Sequence, residues 1–217
     1  MNVTWKKLTV GPLEENCYIV YDEENKEKTC FLIDPGAAGT RILNAVKALS
    51  LTPEAIYLTH GHFDHIMAVD WVRKEFPKLP VYALDAEKEV LLDPEKNFMK
   101  GLPAPAFLTD VTYVKDGERL LLAGIPCEVM ATPGHTVGSS CLCIPEAGVL
   151  FSGDTIFRES AGRTDFPTGS TMDLSVSIND VLMKLPDDMK VYPGHGDETT
   201  IGYERNYNFM VILRNRE

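Results

Sequence analysis

Residues 58–65, LTHGHFDH, place three histidines and one aspartate within six consecutive positions. The chain has five histidines in all, and the other two lie in TPGHT and YPGHG, each just after a short apolar stretch. Glycines flank these histidines, and glycine lets a backbone turn tightly and aim a neighbouring side chain. The pattern therefore favours a fold that brings several strand ends and their loops to one place.

The apolar patterning predicts a mixed α/β chain with many hairpins. Strands are predicted at 4–10, 16–21, 29–34, 55–59, 81–84, 140–145, 148–154 and 189–194, with a hairpin over Gly124 within 118–132. Helices are predicted at 40–50, 66–76 and 172–185 and in the C-terminal tail. No low-complexity linker divides the chain, so we expect a single domain spanning 1–217. The Pro- and Gly-rich segment 94–110 is either a lid or an ordinary surface connection.

Charge and composition exclude several classes of function. The net charge of −11 opposes binding to phosphate backbones, so we expect no nucleic-acid partner. No apolar run approaches the roughly 18 residues of a membrane span, and the N-terminus lacks the apolar region of a secretory signal. The five cysteines lie in apolar stretches, which predicts buried free thiols in a reducing compartment. A cytoplasmic protein with a small-molecule substrate is the expectation, while the oligomeric state cannot be predicted from the sequence.

The histidine spacing is typical of metal ligands. On an extended segment, His60 and His62 can reach one ion, whereas Asp64 and His65 begin a helix and diverge from them. This arrangement predicts two ions, or one ion and a proton-handling pair. His135, His195 and Asp154, which lies in GDTIF, also follow predicted strands. Seven candidate ligands from four loops match the inventory of a two-metal site.

HGHFDH resembles the H-x-H-x-D-H signature of the metallo-β-lactamase superfamily, and TPGHT, GDTIF and PGHG resemble its later metal motifs in order. The resemblance implies a four-layer αβ/βα sandwich, in which helices flank two mixed β-sheets and the metal site lies at one edge. It implies two divalent metal ions, zinc first, with iron or manganese as alternatives. The implied ligands are His60, His62 and His135 for the first metal, Asp64, His65 and His195 for the second, and Asp154 as a bridge. Asp34 would support the ligands or cap a turn.

Further segments narrow the resemblance to one branch of that superfamily. ENCYIVYD and FLIDPG resemble the opening of glyoxalase II, and RESAGRTDFPTGS and PGHGDETTIGYERNYN resemble short bacterial glyoxalase II-like hydrolases. The implied activity is hydrolysis of an S-acylglutathione or a related small thioester by a metal-activated hydroxide, which Asp64 would orient. A mononuclear-iron persulfide dioxygenase and a lactonase-type hydrolase are the alternatives. The chain ends 22 residues after His195, so we expect no helical glutathione-binding domain, and the thiol carrier stays open.

Two arginines close to Asp154 in sequence are candidates for substrate contact. Arg158 and Arg163 flank SAG and could bind a substrate carboxylate. Arg163 could instead brace its loop by pairing with Asp165. Phe63 and Phe157 are candidates for the pocket wall, although core or rim packing is the ordinary role of such aromatics.

Overall fold

The computed structural model describes residues 1–102 and 108–214. Its strands are β1 (Val3–Val10), β2 (Glu15–Asp22), β3 (Thr29–Ile33), β4 (Thr52–Leu58), β5 (Val81–Leu84), β6 (Thr112–Val114), β7 (Arg119–Leu122), β8 (Ile125–Ala131), β9 (Ser140–Ile144), β10 (Val149–Gly153), β11 (Ile156–Phe157), β12 (Ser160–Ala161), β13 (Lys190–Pro193) and β14 (Thr199–Thr200). Its α-helices are α1 (Gly39–Ala48), α2 (Phe63–Ile66), α3 (Val69–Glu75), α4 (Lys88–Leu91), α5 (Thr171–Val176), α6 (Ile201–Tyr207) and α7 (Phe209–Arg214).

Two mixed six-stranded sheets form the centre of the molecule. The first has the spatial order β1-β2-β3-β4-β5-β6, antiparallel from β1 to β3 and parallel from β3 to β6. The second has the order β14-β13-β10-β9-β8-β7, and its β10 and β13 are parallel. Strands β11 and β12 form a small separate hairpin.

Three apolar clusters hold the layers together. The inner faces of the two sheets meet in one cluster, in which Tyr18, Phe31 and Tyr57 from the first sheet join Ile125 and Phe151 from the second. A second cluster packs the outer face of the first sheet against α1 and α3, and a third packs the second sheet against α5, α6 and α7. Burying both faces of each sheet is what makes these strands read as continuous apolar runs. The four-layer sandwich predicted from the sequence is confirmed.

Most predicted elements are present, with local differences that have physical causes. The predicted helix 66–76 is broken, because the Ala68 N–H bonds to the Pro35 carbonyl and α3 starts only after it. The predicted helix 172–185 begins as α5 and continues as a π-helical stretch, Ser177–Val181, and a 3-10 turn, Leu182–Lys184. Pro53 lies within β4 rather than before it, next to the extra residue Glu54 that shifts the register of β4 against β3, and bulges are where strands tolerate proline.

The remaining expectations concern loops, thiols and membranes. All five cysteines are free and buried, as predicted. The hairpin over Gly124 is formed by β7 and β8. Residues 103–107 of the predicted lid segment lie outside the described residues, while 94–102 form turns and bends, and Met99 packs in the cluster on the outer face of the first sheet. Among the described helices, none is both long and apolar enough to cross a membrane.

Candidate metal centre

The candidate ligands follow strands whose ends meet at one edge of the sandwich. His60 comes two residues after β4, Asp154 directly follows β10, and His195 comes two residues after β13. His135 lies in the loop that leaves β8. Backbone bonds join the two sheets here, because the Ser140 N–H donates to the Thr59 carbonyl. The edge is therefore a place where loops from both sheets converge, as the sequence pattern favoured.

Three histidines form the first group. The ligand atoms of His60, His62 and His135 lie within 4.8 Å of one another, and all three residues are buried. His62 Nδ1 and His135 Nε2 are 2.9 Å apart. Two of these ligands come from the loop after β4 and one from the loop after β8, so both sheets contribute to this group.

Asp64, His65 and His195 form the second group, again with ligand atoms within 4.8 Å of one another. His195 Nε2 lies 3.3 Å from Asp64 Oδ2. The carboxylate of Asp154 stands between the two groups: Oδ2 is 3.6 Å from His135 Nε2 and from His195 Nε2, and Oδ1 is 3.4 Å from His65 Nε2. The structure thus brings together all seven candidates singled out in the sequence.

Hydrogen bonds fix which nitrogen of each ring faces the centre. His65 Nδ1 donates to Asp34 Oδ2 at 2.9 Å, His135 Nδ1 donates to the Arg163 carbonyl at 2.7 Å, and His195 Nδ1 donates to the Leu13 carbonyl at 3.0 Å. In each case Nε2 is the nitrogen that faces the other ligand candidates. Such a bond on the far nitrogen is the usual means of orienting a metal-binding histidine.

Asp34 supports two of these rings at once. Its Oδ1 accepts the Thr59 N–H at 2.8 Å, and its Oδ2 accepts the Thr59 hydroxyl at 2.6 Å. The same hydroxyl lies 3.1 Å from His60 Nδ1, so its oxygen can accept a hydrogen bond from that ring's N–H while the hydroxyl donates to Asp34. Asp34 is therefore bonded directly to His65 and, through Thr59, to His60.

The electrostatic setting differs between the two groups. Burial, followed by the nearby histidines, lowers the pKa of His60 and of His62. Burial opposes the ionisation of Asp64, but the charges of His65 and His195 outweigh it and lower the pKa of that carboxyl. Burial opposes the protonation of His65 and His195, but the nearby carboxylates outweigh it and raise the pKa of both rings. Because neutral imidazoles and ionised carboxylates are the forms that bind cations, a metal ion in the second group would replace these protons.

The donor set fits divalent metal ions. His60 Nε2, His65 Nε2 and Asp154 Oδ1 are buried without a hydrogen-bond partner in the described part of the chain. Leaving such groups unpaired costs about 1–3 kcal/mol each, and ions bound in the two groups would satisfy all three. Imidazole and carboxylate ligands suit zinc, iron and manganese.

Two glycines keep the centre open. A Cβ on Gly194 would lie 2.3 Å from Asp154 Oδ1 and 2.7 Å from His65 Cε1. A Cβ on Gly134 would lie 2.2 Å from the Leu174 amide nitrogen, and Gly134 has a φ of 135° that other residues rarely adopt. Side chains are excluded at these positions because they would fill the ligand space or displace the loop that carries His135.

The sequence reasoning missed Glu87, a fully buried carboxylate in the turn after β5. Its Oε1 accepts the Gly61 N–H at 2.6 Å, while its Oε2 accepts the Gly138 N–H at 2.9 Å and the Thr136 hydroxyl at 2.7 Å. Glu87 therefore joins the loop of His60 and His62 to the loop of His135. Burial raises its pKa to about 7, against the hydrogen bonds that lower it. Nothing in the sequence distinguishes it from its acidic neighbours.

Comparisons with known proteins bear directly on this geometry. Residues 10–195 match the family model described as the metallo-beta-lactamase superfamily. The chain belongs to this superfamily. This chain is 35% identical over 204 residues to the hydroxyacylglutathione hydrolase GloC of Haemophilus influenzae. The match covers 93% of this chain and 94% of that protein. This chain is a metallo-hydrolase in fold, family and donor set.

Two solved structures are also similar to this chain. One is described as the BLEG-1 B3 metallo-beta-lactamase, with a TM-score of 0.87, 36% identity and coverage of 96% of this chain and 99% of that one. The other is TTHA1623 in a di-iron-bound form, with a TM-score of 0.82, 36% identity and coverage of 94% and 98%. Both similarities extend over nearly the whole chain.

A cavity of about 470 Å³ opens over the candidate metal centre. Three larger hollows in the described part of the chain, of about 700, 630 and 520 Å³, lie elsewhere, and none of the seven ligand candidates lines them. Of the residues predicted to contact substrate, Arg163 lines the cavity over the metal centre. Arg158 lines a different hollow and rests over the ring of Tyr203. Phe63 and Phe157 both line the cavity.

Proposed function

We propose that this protein hydrolyses a thioester with the help of two divalent metal ions, zinc first, bound in the two groups described above. The observation that carries the proposal is the second group. A single ion would need only one of the two groups, yet Asp64, His65 and His195 converge as closely as His60, His62 and His135 do. Asp154 lies between the two groups, where one carboxylate can serve both.

The bound metals would supply a Lewis acid for the carbonyl and a water of lowered pKa. The chain's own residues position the reaction. Asp64 Oδ2 faces His195 at the mouth of the cavity, where the carboxylate can accept a hydrogen bond from a water and aim it. In this role Asp64 orients the water through a hydrogen bond that its carboxylate accepts.

The pocket's polar groups favour a thioester over an amide. The polar residues lining the cavity in the described chain are five ligand candidates and Arg163. A guanidinium with a pKa above about 12 does not donate a proton to a departing amine. A thiol has an unperturbed pKa of about 8.5 and leaves as a thiolate without such help. The similarity to a hydroxyacylglutathione hydrolase supports the same choice.

Hydrolysis of a β-lactam is the second candidate, because a similar structure is described as a B3 metallo-beta-lactamase. The two candidates are separated by one assay on the metal-loaded protein. We expect hydrolysis of S-lactoylglutathione or acetyl thioesters, with little turnover of a chromogenic cephalosporin. The opposite order of kcat/KM would overturn the proposal in favour of the β-lactam.

Replacing His195 by alanine tests the number of metals. A dinuclear hydrolase should lose most of its thioesterase activity and close to one equivalent of metal per chain. The mononuclear alternative, an iron persulfide dioxygenase, would keep its metal and consume oxygen with glutathione persulfide. A small-molecule substrate, a cytoplasmic location and the absence of nucleic-acid and membrane partners stay predictions from charge and composition.

A further inference from the structure

The cavity over the metal centre has an apolar wall. Half of its lining residues in the described chain are apolar: Leu13, Phe63, Phe98, Phe157, Ala161 and Phe166. The rings of Phe98 and Phe166 pack edge to face at 5.0 Å, and both rings lie beside His62, at 5.2 and 5.6 Å. On the other side, Phe157 lies 6.0 Å from His195. Aromatic surface therefore borders both metal groups.

Phe98, which forms part of this wall, has an unfavourable backbone conformation. Its φ is 60°, a left-handed value that bulky side chains rarely adopt. The neighbouring Asn97 fixes the turn, since its carbonyl accepts the Phe63 N–H at 2.9 Å and its Oδ1 accepts the Met99 N–H at 2.9 Å. A strained residue at the rim of a site points to a functional demand on that side chain.

The cation at the cavity is already engaged. Arg163 Nε and Nη2 form a two-pronged pair with Asp165 at 2.9 and 2.7 Å, and the guanidinium rests over the Phe166 ring at 4.2 Å. The Nε–Nη2 edge of the guanidinium, one of the two edges that can bind a carboxylate, is thus occupied by a carboxylate of the chain itself.

We propose that this cavity selects thioesters that place an apolar, uncharged arm against Phe98 and Phe166, and that Arg163 does not act as a carboxylate clamp. The proposal rests on the proposed thioester hydrolysis. An apolar, uncharged arm binds more favourably because its surface leaves water and packs against the two rings. A carboxylate-bearing carrier such as glutathione would meet aromatic surface and the Arg163–Asp165 pair.

The test uses two substrate series with the metal-loaded protein. In the first, the carrier is neutral N-acetylcysteamine and the acyl group is acetyl, butanoyl, hexanoyl or the charged succinyl. In the second, the acyl group is acetyl and the thiol is N-acetylcysteamine, benzyl mercaptan or glutathione. Each methylene that enters the pocket should raise kcat/KM about fourfold, which is equivalent to ~0.8 kcal/mol. The two series distinguish whether the acyl or the thiol arm occupies the wall.

Substitutions test whether the aromatic wall causes the preference for apolar substrates. Phe98→Ala should reduce the ratio of kcat/KM between the best apolar substrate and the acetyl N-acetylcysteamine thioester from at least about tenfold to below about threefold. Phe209→Ala, which removes a half-exposed phenylalanine of α7, is the matched control and should leave that ratio unchanged. Arg163→Gln should change kcat/KM for succinyl and glutathione substrates by less than about threefold.

The outcomes separate this proposal from the proposed function. If no thioester of either series is hydrolysed, the proposed function fails. If acetyl thioesters are hydrolysed but kcat/KM does not increase for the apolar substrates of either series, the function stands and the apolar selection is wrong. The selection is also wrong if glutathione or succinyl substrates are preferred and Arg163→Gln removes that preference.

Discussion

Replacing Glu87 by glutamine tests whether one buried carboxylate couples the two loops of the first metal group. Glutamine keeps the size of the side chain but offers one acceptor oxygen instead of two. The Gly61 and Gly138 N–H groups bond to different oxygens of Glu87, so one of them would face an amide NH2. A buried donor without an acceptor costs about 1–3 kcal/mol.

The effect of this substitution depends on pH, and its sign follows from the raised pKa. Glu87 prefers its protonated form in the folded protein, with a pKa near 7 against 4.5 when unfolded. Its contribution to stability is therefore greatest below about pH 4.5, falls as the pH rises to 7, and is constant above. The fall amounts to roughly 3 kcal/mol, and glutamine does not share it. Glu87→Gln should destabilise the protein near pH 5, whereas at pH 8 the substitution should be neutral or stabilising by up to about 2 kcal/mol.

The assay is urea unfolding of the chelator-treated protein at pH 5 and pH 8, with Glu87→Gln and wild type compared at each pH. Glu89→Gln, which removes an exposed partner of Lys96, is the control and should stay within about 0.5 kcal/mol at both pH values. A destabilisation that is the same at pH 5 and pH 8 would refute the titration of Glu87. No destabilisation at pH 5 would refute its role in joining the loops.

Three further changes probe the same centre. Gly194→Ala should abolish binding of the second metal, because its Cβ would lie 2.3 Å from Asp154 Oδ1, and elemental analysis checks this loss. Gly117→Ala is the control: the space around Gly117 is open but its φ is 72°, so the substitution should lower stability without changing the metal content. Asp34→Asn should weaken metal binding about 10–100-fold, measured by chelator competition, because it weakens the acceptor for His65 Nδ1. Tyr57→Phe removes a buried bond to the Ser140 hydroxyl and should lower the free energy of unfolding by about 1 kcal/mol with activity retained; a loss of activity would show that the sheet contact positions the site.

The sequence was most informative where local chemistry is distinctive. Histidines next to glycines at strand ends predicted the convergence of His60, His135 and His195 because few other roles explain that pattern. Alternating and continuous apolar runs predicted most strands of both sheets. The short strand β6 was not predicted, since its three residues carry no distinct pattern.

Other features depend on tertiary contacts that no local pattern encodes. Glu87 looks like any acid in a charged turn until the chain folds and buries it between two loops. Glu15 is similar: it is buried behind the centre, and burial raises its pKa well above the usual range. The pairing of Arg163 with Asp165 was one of two alternatives in the sequence, and only the structure shows that both guanidinium donors of one edge are used.

The central claim is that this chain holds two metal ions in two adjoining ligand groups. The most direct measurement is metal content per chain, by elemental analysis of protein purified without chelators. The account predicts close to two equivalents of zinc, iron or manganese in the wild type and close to one in His195→Ala. One equivalent in the wild type, unchanged by His195→Ala, would contradict it.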